Sequence, residues 1–407
     1  MKRKYLLVIV ILLLGMLLLE INDLNVDAKH KYRKRKKMEI PYVQGYLTLN
    51  AGENLPEGSV VYDGHLYVAA HEAPAEIVKI KIADFKRISA LSVPAEAIDL
   101  AIYGNYLYAL CDTAPARILR INLNTFSVDS ILDLGATENL YPHVDAGCRL
   151  VIDDSSGTPY LYIAVTAIAA GFRAGVARVN LNTFLEDAIL WLNVNEDDAM
   201  SMVKAGQYLY VSGFPNAGGA GYIAKVDIPT LTRIGAINLA TIEAGRDLAV
   251  RGNYLYAGGR LFAAGAYPCV ARVDLATFTQ DSTVSTNDIA FCHLHRILIK
   301  DNKLYGLYEL TARVAIFDLD AWPAYEVLQS MFPAPDIGFQ NGCIYGNYLY
   351  AFEYHRPGII VKILISITDP LPTIQTTTTT IQTTTLAMAP TRMRVMRRVT
   401  RIVPWVV

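Results

Sequence analysis

A five-residue stretch, Gly104–Asn105–Tyr106–Leu107–Tyr108, returns as Gly252–Tyr256 and Gly346–Tyr350, and with one change as Gly206–Gln207–Tyr208–Leu209–Tyr210. Looser copies are Asp63–Gly64–His65–Leu66–Tyr67, Thr158–Pro159–Tyr160–Leu161–Tyr162 and Asn302–Lys303–Leu304–Tyr305. With Leu66, Leu107, Leu161, Leu209, Leu255, Leu304 and Leu349 as markers, the successive spacings are 41, 54, 48, 46, 49 and 45 residues. Seven copies at that period restrict the chain to an array of like supersecondary units.

Each unit reads as sheet. A short apolar run such as Ile98–Tyr103 or Ile297–Lys300 precedes a two-residue Gly-Asn or Asp-Gly turn, and Tyr-Leu-Tyr follows. Gly, Asn and Asp accept the positive φ of a tight hairpin, whereas Tyr, Leu, Val and Ile pack on pleated strands. A third run recurs as Ile118–Leu123, Val176–Leu181, Ile223–Ile228 and Val270–Leu275, each with a basic residue at its centre. These runs end in a common turn, Asn124–Thr125–Phe126, Asn182–Thr183–Phe184 and Ala276–Thr277–Phe278, with Ala83–Asp84–Phe85 and Asp320–Ala321–Trp322 as variants. A fourth run follows, as in Val128–Leu134 and Phe85–Val93. Four short strands every 40–50 residues predict an all-β, seven-bladed β-propeller, because seven such sheets close a ring without free inner edges. An open solenoid would use shorter units and distinct caps. The outer strand of the last blade comes either from Tyr46–Leu49, ahead of the first unit, or from Ile365–Ile367; the first tie would shut the ring and is preferred.

Residues 44–368 form the predicted propeller, long enough for its own core without metal or disulfide support. Formal net charge is −1 over 407 residues, so no electrostatic argument points to nucleic acid. The five cysteines, Cys111, Cys148, Cys269, Cys292 and Cys343, match no zinc or redox spacing and are expected as buried thiols; a Cys111–Cys148 bridge is conceivable only in an oxidising compartment. The 25 tyrosines fall mostly in the repeat, which makes packing between blades their expected role.

The two ends differ in composition. Lys2–Arg3–Lys4 precedes Tyr5–Leu19, fifteen residues without charge or proline. That pattern fits residues 1–20 as a secretory signal or an uncleaved membrane anchor. Seven Lys/Arg crowd into residues 29–37 of a basic linker, 21–43, and the positive-inside tendency would hold the propeller on the cytoplasmic side of a true span. Against this, Thr376–Thr380 and Thr383–Thr385 make residues 369–407 a Thr-rich tail with a basic end, of the kind found as disordered stalks outside cells. No Asn-x-Ser/Thr acceptor occurs.

Chemistry belongs on the face where second-to-third loops and blade-to-blade loops gather, since a rigid scaffold positions binding groups there. The candidate binding residues are His71, Glu72, Asp112, His143, Asp145, Arg246, His293, His295, Glu309, Glu353 and His355. His293 and His295 would share a strand face, but nothing fixes the further ligands a metal needs, and no metal or cofactor is called for. Glu196–Asp197–Asp198 reads as a solvated acidic turn without calcium-loop spacing. Gly218–Gly221 and Gly258–Gly259 lack the lysine of a phosphate-binding loop and read as turns. Arg246–Asp247 and His295–Arg296 stand in equivalent places at the start of inner strands, where paired charges either face the channel or link neighbouring blades. No catalytic triad or acid pair follows from spacing alone.

The Leu-Tyr hairpins and the third strands ending Val-Asn-Leu or Val-Asp-Leu resemble the broad class of YVTN/NHL-like propellers over residues 46–368, although the literal tetrapeptide is replaced by Tyr160–Leu161–Tyr162–Ile163 and its relatives. The resemblance implies a rigid recognition platform, often at cell surfaces, and supplies no catalytic residues. The leading expectation is a non-catalytic surface or envelope propeller that binds protein or glycan through its loop-rich face and meets the membrane through its N-terminal apolar segment. A membrane-tethered scaffold on the cytoplasmic side is the alternative, and a channel-mouth lyase or hydrolase the third.

Overall fold

The computed structural model describes residues 41–137, 149–167, 171–215, 219–243, 245–261, 266–288, 292–328 and 338–366. Within them, strands form seven antiparallel four-stranded sheets, six of them in sequential order from the channel outward. The first blade is β2 (Pro56–Tyr62), β3 (His65–Ala70), β4 (Glu76–Lys81) and β5 (Lys86–Ser92). The other inner strands are Ala97–Tyr103, Leu150–Asp153, Ala199–Ala205, Asp247–Arg251, Leu294–Lys300 and Phe339–Tyr345. The outer strand of blade 7 is β1 (Tyr42–Thr48), which pairs antiparallel with Ile359–Leu364 from Tyr42↔Leu364 to Thr48↔Ile359. The exchange of a strand between the two ends therefore closes the ring, as preferred from the sequence. No helix among the described residues is long and apolar enough to cross a membrane. The apolar start, the basic linker and the Thr-rich tail lie outside the described residues.

The hairpin turns follow from their residues: Gly104, Gly206, Gly252 and Gly346 all sit near φ +57 to +59, where a Cβ is disfavoured. The Tyr after each marker Leu then points between blades and is at most 3% exposed in all seven units. Each apolar cluster is shared by two neighbouring blades, so the core is seven seams rather than one centre. A buried ring of this size removes about 150–250 Å² from water, worth a few kcal/mol per seam at roughly 25 cal/mol per Å².

Five of the seven seams share one device. The Phe or Trp of the third-to-fourth turn leans onto the buried Tyr of the preceding blade: Phe126 on Tyr67, Phe184 on Tyr108, Phe278 on Tyr210, Trp322 on Tyr256 and Phe85 on Tyr350, with centroids 5.5–6.0 Å apart. The basic residue of the preceding blade's third strand (Lys79, Arg120, Lys225, Arg272, Lys362) lies over the same ring at 4.7–5.7 Å. The tyrosines of the repeat pack between blades, as expected.

Two sequence readings are corrected. Gly258 and Gly259 lie inside the second strand Tyr254–Arg260, not in a turn. A Cβ on Gly258 would sit 2.6 Å from Cγ2 of Ile297 on the next inner strand, so glycine is needed for close approach. Glu196, Asp197 and Asp198 are buried, at 8%, 8% and 0% exposure, rather than solvated. Their turn is tied in by Ala174 N–H donating to Glu196 O (2.9 Å), Tyr222 O–H donating to Asp197 O (2.9 Å), and a bond from Arg233 to the Glu196 carboxylate at 2.8 Å.

Candidate functional site at the channel mouth

Each inner strand starts at one mouth of the channel, and each second strand ends there. Nine of the eleven predicted residues lie at this mouth, in two buried groups and one rim group with their partners; His143 and Asp145 lie outside the described residues.

The first group spans blades 1 to 3. His71, just past β3, stands with Nδ1 3.5 Å from Glu57 and Nε2 3.4 Å from Glu96. Asp112 occupies the same place in blade 2 and faces His71 and Arg149. Burial pushes its carboxyl up, the neighbouring Glu96 adds to this, and His71 and Arg149 oppose it. Arg149 is 1% exposed, and burial lowers its guanidinium against the pull of Asp112, Glu57, Asp99 and Asp198. Asp198, fully buried, is pushed up to about 7 by burial and by the Asp197 charge, with Arg149 opposing. Its two oxygens have no hydrogen-bond partner among the described residues.

The second group spans blades 5 to 7. His293 Nδ1 lies 2.5 Å from Glu309 Oε2, and His295 Nε2 lies 3.5 Å from Glu309 Oε1. Burial alone would raise Glu309, but the His293 hydrogen bond and the positive groups around it hold the carboxyl well below its usual range. Burial depresses His293, and burial together with Arg246 holds His295 down at about 3. Both imidazoles are therefore neutral at physiological pH, and His293 donates to an ionised Glu309. A histidine oriented by a carboxylate is half of a nucleophile-activating pair. The adjacent thiol does not complete it: Cys292 is buried, its Sγ lies against His293 O, and burial pushes it up to about 11.

The third group is the rim between blades 7 and 1. Arg356 Nε donates to Glu72 Oε2 at 2.6 Å, and that bond lowers the Glu72 carboxyl. Glu353 is 2% exposed and raised by burial, while His355 Nδ1 bonds locally with Pro357 O at 3.0 Å. Cys111, Cys269 and Cys292 are buried free thiols and Cys343 a half-buried one, and Cys148 lies outside the described residues. Among the described residues no group of three or more His, Cys, Asp or Glu is placed to hold a metal ion.

One turn deeper, charges stitch blade to blade. Asp99 Oδ2 accepts from the amides of Arg149 (2.7 Å) and Leu150 (2.9 Å) in the next blade. Asp247 repeats this with Ile297 N (2.9 Å), and adds Ser201 Oγ (2.9 Å) and Arg296 Nη1 (3.3 Å). Asp247–Arg296 is thus the blade link that the paired charges suggested. Sequence reasoning missed Glu57, Glu96, Arg149, Asp198 and Gln340. Aligning the seven units at the start of the inner strand would have found two of them, since Glu57 and Gln340 are equivalent to Arg246 and His295.

No protein-family model matches this chain, and no curated protein is detectably similar in sequence. Solved structures are similar in shape. Kuenenia stuttgartiensis hydrazine synthase aligns with TM-score 0.61 and 11% identity over 81% of this chain and 100% of that one. BamB from Moraxella catarrhalis gives 0.52 and 9% over 80% and 100%, and the Pan2 WD40 domain of Neurospora crassa 0.58 and 11% over 80% and 96%. The likeness shows the fold. As 1496 solved chains share it, it selects no activity.

Proposed function

We propose that this chain is a non-catalytic recognition propeller of the YVTN/NHL-like kind, displayed on a cell surface or envelope, which binds a charged protein or glycan partner at its channel mouth. The carrying observation is the mouth itself: opposed charges are fixed by burial on a rigid ring, with a charged rim pair, Glu72–Arg356, above them. Val194 (77% exposed) and Leu310 (51%) project from loops of the same face and supply apolar contact among the charges. The apolar start and the Thr-rich tail support the surface location, with residues 1–20 as signal or anchor and 369–407 as a stalk. A channel-mouth hydrolase is disfavoured because the thiol beside the His293–Glu309 pair, Cys292, is buried and pushed up to about 11, which leaves it protonated.

The test joins location to face. Protease treatment of intact expressing cells, with the mass of the mature chain, reports the compartment. Binding of labelled protein to glycan and surface-protein arrays is compared with a Glu72→Ala/Asp112→Asn/Arg356→Ala variant whose thermal midpoint matches the parent. Cleavage outside, with at least about tenfold weaker array binding by the variant, is expected for a rim hot spot. Protection of a full-length, unmodified chain refutes the surface location, and unchanged variant binding refutes the mouth.

A further inference from the structure

The first buried group at the mouth does not balance its own charge. Arg149 faces four carboxylates, Glu57, Asp99, Asp112 and Asp198, and Glu96 stands beside Asp112. Buried charges are normally paired, because an unpaired one forfeits its hydration. Some of this demand is met from within. His71 lies between Glu57 and Glu96, Arg296 approaches Asp99, and Asp99 accepts from the amides of Leu100, Arg149 and Leu150. Asp112 and Asp198 still share one guanidinium. Other arginines of this sector are committed elsewhere: Arg117 to Asp133, Arg233 to Glu196 and Arg356 to Glu72. Residues 138–148 and 168–170, which flank the first two strands of blade 3 in sequence, contain no Lys or Arg.

The shortage is sharpest at Asp198. It precedes the inner strand of blade 4 as Glu96 precedes that of blade 2, since Ala199 pairs with Gly213 and Ala97 with Cys111, each four residues past its marker Leu. Glu96 meets His71, the fifth residue past the marker of the blade before it. The corresponding residue ahead of Asp198 is Thr166, which carries no imidazole. Thr166 and Asp198 are both 0% exposed. Thr166 Oγ1 and both Asp198 oxygens have no hydrogen-bond partner among the described residues, a condition that native structures leave to few buried polar atoms. Asp198 faces Arg149, which places it on the inner side of the group. The group meets solvent at Glu96, whose side chain is 40% exposed, and at the half-buried Asp112. Burial pushes the carboxyls of Asp112 and Asp198 up, as expected of acids short of positive partners.

We propose that this sector of the mouth binds a primary ammonium group on a slender chain, held by Asp198, Asp112 and Glu96 with Thr166 Oγ1 as a further acceptor. The assignment rests on the mouth as the recognition face and adds the sign and chemistry of what enters it. An ammonium group brings the missing positive charge and three donors for acceptors that the fold leaves unfilled. Among the described residues the carboxylates are not grouped to hold a metal ion, which favours an organic cation. The same head could arrive on a lysine of a polypeptide or on a free polyamine.

The test uses the full chain with labelled Ala and Met methyl groups, titrated with butylammonium, acetyl-Gly-Lys-Gly-amide, tetramethylammonium and calcium. Saturable shifts at Ala199 and Met200, which follow Asp198, are expected with the first two. Tetramethylammonium carries the charge without an N–H and should bind at least about tenfold more weakly. Asp198→Asn and Glu96→Gln should each weaken amine binding about tenfold. Asp281→Asn, an equal loss of charge on the outer strand of blade 5, should leave it unchanged. A lysine peptide that binds more tightly than butylammonium assigns the head to a polypeptide; equal binding assigns it to a free amine. No saturable shift with either amine, equal binding of tetramethylammonium, no difference between Asp198→Asn and Asp281→Asn, or tighter binding of calcium in competition with the amine would each overturn the proposal. The two readings fail separately. Amine binding without an array partner upholds the cation site and refutes recognition at the mouth, whereas array binding lost in the rim variant, without amine binding, does the reverse.

Discussion

Replacing Asp247 with Ala removes a side chain that joins three blades at the channel wall. Asp247 is 0% exposed, accepts from Ile297 N and Ser201 Oγ at 2.9 Å each, and meets Arg296 Nη1 at 3.3 Å. A hydrogen bond to a charged group contributes about 1.5–3 kcal/mol, and removing one member of a buried pair costs about 3–5 kcal/mol because its partner is left uncompensated. The contacts overlap, so roughly 4 kcal/mol is expected for Asp247→Ala. Asp247→Asn keeps an acceptor for Ile297 N but not the charge facing Arg296, which puts it near half that loss. Ser201→Ala loses one hydrogen bond, about 1 kcal/mol. Urea unfolding followed by tyrosine fluorescence should rank the three in that order. Hydrogen exchange at the Ile297 amide should rise most in the alanine variant. An Asp247→Ala midpoint within about 0.5 kcal/mol of the parent, the range of an ordinary surface change, would refute the reasoning.

Further outcomes follow from the mouth and the seams. His295 is held at about 3 against its ordinary 6.5, so the unfolded chain takes a proton that the native one refuses. Stability therefore falls as pH drops from 6.5 towards 3, by about 2 kcal/mol at pH 5, and His295→Gln should flatten the thermal midpoint between pH 7 and pH 5. Asp198 has the opposite sign: raised from 3.8 to about 7, it keeps a proton that the unfolded chain loses, and stability is lost as pH rises through that window. Asp198→Asn should raise the thermal midpoint at pH 8 and leave it nearly unchanged at pH 4. Gly258→Ala should cost about 1–3 kcal/mol by overpacking against Ile297, and Ile297→Ala should be less damaging in that background than in the parent, read from a double-mutant cycle in urea.

The sequence disclosed the architecture because every blade repeats the same local physics. Gly-Asn at a hairpin, Leu-Tyr beneath it and a turn closing on Phe are short-range signals, and seven copies fix the ring. The mouth was legible only in outline. Loop order alone assigns His71, Asp112, His293, His295 and Glu309 to one face of the ring. Their grouping was not visible, since Glu309 reaches His293 across 16 residues and Arg149 reaches Asp99 across 50. The acidic turn at Glu196 misled for the same reason: three consecutive carboxylates look solvated until Arg233 and Tyr222 of the next blade are folded over them. Gly258–Gly259 looked like a turn because glycine pairs usually are; here the demand comes from Ile297, in another blade.

The strand exchange that shuts the ring also sets where the chain enters and leaves it. Tyr42 pairs with Leu364, so the chain enters and leaves the propeller at one point on blade 7, on the end that carries the hairpin turns. The charged mouth lies at the other end of the same strands, so the point of entry and exit and the loops of the mouth are held apart by the full length of blade 7.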